Sequence, residues 1–151
     1  MLTLLQSTSE LKGYDFHFGG YNINLVDSLC FNDPYKSEAE VSGDIANWLN
    51  GSYEVNTKLT GIIYVHSVNN VHIEGSVLHN MKMFRELCGT EPLKNVILAT
   101  SFWGKVDQAT KEMRERELDT TPEFWRSMIR KGSRTARFTD RASALSMISN
   151  Q

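Results

Sequence analysis

Apolar and polar residues alternate along YDFHF, Tyr14–Phe18, break at Gly19-Gly20, and alternate again through YNINLV, Tyr21–Val26. Period-two alternation marks a half-buried strand, and a two-glycine break between two such runs predicts a β-hairpin. Beyond Asn32-Asp33-Pro34 the pattern changes period. In SEAEVSGDIANWL, residues 37–49, Val41, Ile45, Trp48 and Leu49 recur at helical spacing, and Ser37 with Glu40 forms a capping box. A helix should begin near Ser37.

The run TGIIYVH, residues 60–66, is continuously apolar and β-branched, as in a strand buried on both faces of a parallel sheet. GSVLHNMKMFRELCG then places Val77, Met81, Phe84 and Cys88 on one helical face and stops at Gly89. NVILATS, residues 95–101, is a second buried strand. A charged helical stretch, KVDQATKEMRERELD, leads into TTPEFWRSMIRKG, where Thr121 suits a cap, Pro122 the first turn and Gly132 the stop. RTARF predicts a short last strand and RASALSMIS a last helix. Buried strands alternating with amphipathic helices predict an α/β fold with a mostly parallel sheet, to which the hairpin adds one antiparallel edge strand. No internal repeat or low-complexity linker divides the chain, so residues 1–151 are expected to form one domain.

Composition narrows the function classes. Sixteen Lys and Arg stand against eighteen Asp and Glu, a net charge of -2, so no global basic field favours nucleic acid. No run approaches the roughly 20 apolar residues of a membrane span, and MLTLLQSTSE has no basic n-region of a signal peptide. With two cysteines, Cys30 and Cys88, outside metal-ligand spacing, a cytoplasmic location with free thiols is expected. His66, His72 and His79 form no paired motif, so no metal site is expected. Cys30 as a nucleophile lacks a local signature. The mixed charges of KEMRERELD, with Lys111 and Glu115 or Glu112 and Arg116 four apart, predict a solvated face, as do the arginines of RKGSRTARFTDR. Trp48 and Trp125 fall on amphipathic faces and are expected in the core; Trp103 is a candidate partner contact.

Seven segments, STSE, VDSLCFND, EVSGDIANWL, KLTGIIYVHSV, GSVLHNMKMFRELCG, NVILATSFWGKV and TTPEFWRSMIRKGS, carry a resemblance in wording and in order. The chain resembles the fungal G-domain proteins, predicted P-loop GTPases related to immunity-associated and septin-type GTP-binding proteins. The resemblance implies a three-layer P-loop NTPase-like sheet with helices on both faces. It also implies GTP and Mg²⁺ as ligands, subject to four sequence elements.

The phosphate loop G-x-x-x-x-G-K-[ST] has no counterpart; the pair Gly104-Lys105 precedes Val106 and lies far downstream. In the family this loop precedes the point matching Thr8, ahead of which stand seven residues, so the P-loop strand and first helix are expected to be lacking. Thr8 matches the switch threonine that ligates magnesium. Asp27–Phe31 align with a D-T-P-G-F switch in which the aspartate holds the magnesium shell: Asp27 and Phe31 match, Ser28 is a mild change, Leu29 replaces the proline, and Cys30 replaces the glycine that approaches the γ-phosphate, where its Cβ restricts that approach. Ser101, Phe102, Trp103 and Gly104 match the base-recognition segment T-x-W-D, with Gly104 in place of the guanine-binding carboxylate. Losing hydrogen bonds to a charged acceptor costs about 1.5–3 kcal/mol each, a tenfold or greater loss of guanine preference.

These departures predict a degenerate, catalytically inactive G-domain derivative, a pseudoenzyme with no catalytic residue and no cofactor, acting through protein contacts. The alternative is a fragment of a GTP-binding protein whose P-loop-containing N-terminus is missing, which would use GTP and Mg²⁺. In a G domain the P-loop strand lies between those matching YNINLV and TGIIYVH. Its loss has three outcomes: the two strands close up, MLTLL fills the gap, or another chain, including an intact G-domain relative, supplies a strand.

Overall fold

The structure, a computed structural model, describes residues 11–28, 36–54, 60–69, 75–88, 93–104 and 107–149. They fall in two compact units, Met1–Leu59 and Thr60–Gln151.

In the first unit β1, Lys12–Phe18, pairs antiparallel with β2, Tyr21–Asp27, in a register from Lys12 opposite Asp27 to Phe18 opposite Tyr21. The connecting Gly19 and Gly20 have φ of 60° and 84°, the left-handed pair that a two-residue hairpin turn requires. One face is polar: Asn24 donates to Asp15 at 2.7 Å, and His17 pairs with Asn22 at 3.0 Å. The other carries the half-buried Phe16, Phe18, Ile23 and Leu25. Helix α1, Glu38–Glu54, starts where the capping box predicts. The Glu40 carboxylate accepts from the Ser37 N–H and hydroxyl, at 2.7 and 2.8 Å, and the Glu40 N–H donates back to Ser37 Oγ at 3.3 Å. Those bonds hold the Glu40 carboxyl below its usual pKa. Val41 and Ile45 are buried and Trp48 is half-buried.

The second unit is built on a parallel sheet of β3, Ile62–Ser67, β4, Val96–Ser101, and β5, Arg134–Arg137, in that spatial order. Helix α2, Gly75–Cys88, connects β3 to β4. From β4 the chain passes through α3, Gln108–Thr120, a π-helical turn at Pro122–Arg126 broken at Phe124, and α4, Ser127–Arg130. Helix α5, Arg141–Ser149, follows β5.

Every residue of the central strand β4 is buried, and its alternation feeds two cores. Val96 and Leu98 join Met81, Phe84, Leu93, Leu118, Trp125 and Met128 on one face; Ile97 and Ala99 meet Met147 on the other. Met81 and Phe84 of α2, Leu118 of α3 and Met128 of α4 put these helices on the first face, and Met147 puts α5 on the second. Tyr64 stacks on Phe84 at 4.6 Å, and its burial pushes the phenol up to about 12. Among the described residues no helix is long and apolar enough to cross a membrane.

Four expectations change. The hairpin is a two-stranded sheet of its own rather than an added edge strand: among the described residues no ladder joins β2 to β3. Among the described residues the run IIYVHS has a strand on one side only, and Val65, in a strand expected to be buried on both faces, is 43 % exposed. Thr121 makes no side-chain cap, whereas Asp107 caps α3 by accepting from Thr110 N–H at 3.1 Å. The helix α3 is not simply a solvated face, because Lys111 and Leu118, seven residues apart, both turn inward. MLTLL lies outside the described residues.

Candidate functional site

The segment Ser101–Gly104 leaves the carboxyl end of the central strand, the end at which parallel α/β sheets bind ligands. Ser101 is buried; its hydroxyl donates to His66 O at 3.3 Å and its carbonyl accepts from Val68 N–H at 3.1 Å, tying the ends of β3 and β4. Phe102 has φ 66°, a left-handed conformation that costs a non-glycine residue about 1–2 kcal/mol. That bend returns the next side chain toward the strand. Trp103 Nε1–H is shared between the carbonyl and the hydroxyl of Thr100, each at 3.2 Å.

Further residues complete the cluster. The Arg137 guanidinium lies 4.0 Å from the centroid of the Trp103 ring, close enough for a cation–π contact. Its nitrogens also grip the Glu115 carboxylate, with Nε 3.0 Å from both oxygens and Nη2 bonded to Oε2. This pairing raises the Arg137 pKa further. Glu115 Oε1 accepts from the Thr100 hydroxyl at 3.1 Å, closing a ring of contacts through Thr100, Trp103, Arg137 and Glu115. Lys111 is fully buried, 6.0 Å from the same indole, and its Nζ has no hydrogen-bond partner. Arg114, one turn along α3, donates to Val68 O at 2.6 Å.

Beside this cluster runs an open polar groove of about 330 Å³ lined by Glu115, Asp119, Thr135, Ala136 and Arg137. Burial, reinforced by the Glu115 charge, raises the Asp119 pKa. No group of three metal-ligating side chains occurs among the described residues. Gly104 is exposed, and a Cβ there would meet nothing within 4 Å, so the backbone leaves room for a side chain at this position.

Asp27 ends β2 and is exposed, with Ser28 next to it. Both belong to the first unit, whereas Ser101–Gly104 belong to the second. Thr8 and Cys30 lie outside the described residues. The structure gathers Trp103 with Thr100, Glu115, Lys111 and Arg137, four residues that the sequence did not single out as a site, while Ser101 bonds to the end of β3. Glu115 is paired with Arg137 rather than with Lys111, since a guanidinium can bind both carboxylate oxygens and stack on an indole together. No motif links residues 22 positions apart, so only the fold brings Glu115 to Arg137.

Comparison with protein-family models, curated proteins and solved structures finds no match to the chain. The arrangement at the end of β4 is a polar network in which Thr100, Trp103, Arg137 and Glu115 bond to or stack on one another beside the buried, unpaired Lys111 Nζ, with no nucleophile–base pair among the described residues.

Proposed function

We propose that the chain is a degenerate, catalytically inactive G-domain derivative, a cytoplasmic pseudo-GTPase lacking the P-loop strand and first helix and acting through protein contacts. The observation that supports this reading is the outer edge of β3, which pairs with no strand among the described residues and is the edge at which a G domain would carry its P-loop strand; β1 and β2 pair only with each other there. Two further features support it. Gly104 offers no carboxylate to a guanine edge, and Trp103 is engaged by the chain's own Thr100 and Arg137. A strand edge left without a neighbour is a ready template for another chain.

Titration of a fluorescent GTP analogue with Mg²⁺ into the full chain tests the reading. No guanine-selective binding is expected at micromolar concentration, and saturable guanine-selective binding there contradicts it.

The same open edge favours a second reading, in which the chain is part of a longer GTP-binding protein whose upstream residues supply the strand, the phosphate loop, GTP and Mg²⁺. Peptide mapping of the native protein separates the two, because only the second predicts an upstream G-x-x-x-x-G-K-[ST] sequence.

A further inference from the structure

The strand β3 has the composition of a sheet interior and the position of a sheet edge. In a parallel ladder, alternate residues direct their N–H and C=O groups to each side. Ile62 N–H bonds to Asn95 O at 2.9 Å and Val68 N–H to Ser101 O at 3.1 Å, so residues 62, 64, 66 and 68 serve β4. The backbone groups of Ile63, Val65 and Ser67 therefore face the opposite side, where no strand is paired among the described residues. Edges of this kind are normally guarded by lysine, proline or a bulge. IIYVHS contains none of these guards, and its Val65 is exposed.

We infer that this edge pairs antiparallel with the same edge of a second copy of the chain, joining two three-stranded sheets into a continuous one with Val65 on the two-fold axis. The register follows from the outward-facing groups. Val65 lies opposite Val65 of the partner subunit, and Ile63 opposite Ser67 of the partner subunit. Each hydrogen-bonded pair exchanges two bonds, about six in all. A second copy fits better than an unlike strand because the edge is self-complementary: it carries no Lys, Arg, Asp or Glu to repel its image or to select an oppositely charged peptide. The one titratable imidazole, His66, is buried edge-on to Trp125, 6.3 Å between ring centroids, and burial lowers its pKa toward the neutral form. Such a dimer is isologous and closed, so assembly stops at two.

The inference rests on the reading of this edge as a protein-contact surface, and its test is independent of nucleotide. Light scattering on the full chain across a concentration series is expected to show twice the chain mass. Val65→Lys, which places two ammonium groups on the axis, is expected to halve that mass with an unchanged circular dichroism spectrum. In a Cys30→Ser, Cys88→Ser background, Val65→Cys is expected to give a disulfide dimer on oxidation. Residues in a hydrogen-bonded antiparallel pair lie about 5.5 Å apart at Cα, within disulfide range. Monomer mass throughout the series, a Val65→Lys dimer, or failure of Val65→Cys to cross-link overturns the proposal. A monomer that binds no nucleotide removes this inference alone, whereas a dimer that binds GTP selectively removes the pseudo-GTPase reading alone.

Discussion

The carboxyl end of β4 and the outer edge of β3 are neighbouring parts of one parallel sheet with opposite states of satisfaction. At the first, Trp103, Thr100, Arg137 and Glu115 satisfy one another with charge-assisted bonds and ring contacts. At the second, alternate amides and carbonyls of an apolar strand meet no strand among the described residues. A loop at a strand end can be filled by its own neighbouring side chains, as Thr100 and Arg137 engage Trp103. A row of backbone groups along a strand edge is not satisfied by side chains in this way, and the proposed protein-contact role rests on that contrast.

The largest expected effect comes from opening the closed side. Glu115→Ala leaves Arg137 and the Thr100 hydroxyl without their acceptor, and should lower stability by about 2 kcal/mol in urea unfolding, with a red shift of tryptophan emission. If Glu115→Ala changes neither, the network around Trp103 is not a closed unit. A second change probes the other sheet. Gly20→Ala, in open space but at φ 84°, should cost about 1 kcal/mol through backbone strain alone and leave tryptophan emission unmoved.

Protonation gives a smaller, signed effect on β3. Burial lowers the His66 pKa below 6.5, so the unfolded chain takes up this proton first as pH falls. The His66 contribution to stability is whole above pH 6.5 and declines as pH drops below it toward the folded-state pKa. Replacing His66 with Phe should flatten the urea midpoint over that window; an unchanged slope contradicts the assignment. The smallest effect belongs to the open edge. In dilute solution Val65→Lys should change folding stability by no more than about 0.5 kcal/mol, because the side chain is already partly in solvent. A large destabilisation would mean that the edge is covered.

Local chemistry made much of this fold legible. Gly19-Gly20 marks the hairpin, Ser37 and Glu40 mark the start of α1, and the apolar runs mark β3 and β4, because each signal depends on residues close in sequence. The exposure of Val65 was not legible, since IIYVHS reads the same whether or not a neighbouring strand exists. At the candidate site, the pattern marks the strand that ends at Ser101 but not what surrounds that end. Lys111 sits in a charged run that suggests solvent, and its burial depends on how α3 packs against the end of β4. The left-handed Phe102 has no sequence mark at all, because glycine is the residue that normally announces such a bend.

Hydrogen exchange of the full chain by NMR, at two protein concentrations with and without GTP and Mg²⁺, tests the closed-loop, open-edge contrast most directly. The Trp103 indole N–H should exchange slowly and be indifferent to nucleotide, while the Val65 amide gains protection as protein concentration rises. Saturable protection or movement of the Trp103 indole resonance by GTP, with a Val65 amide indifferent to concentration, would contradict it.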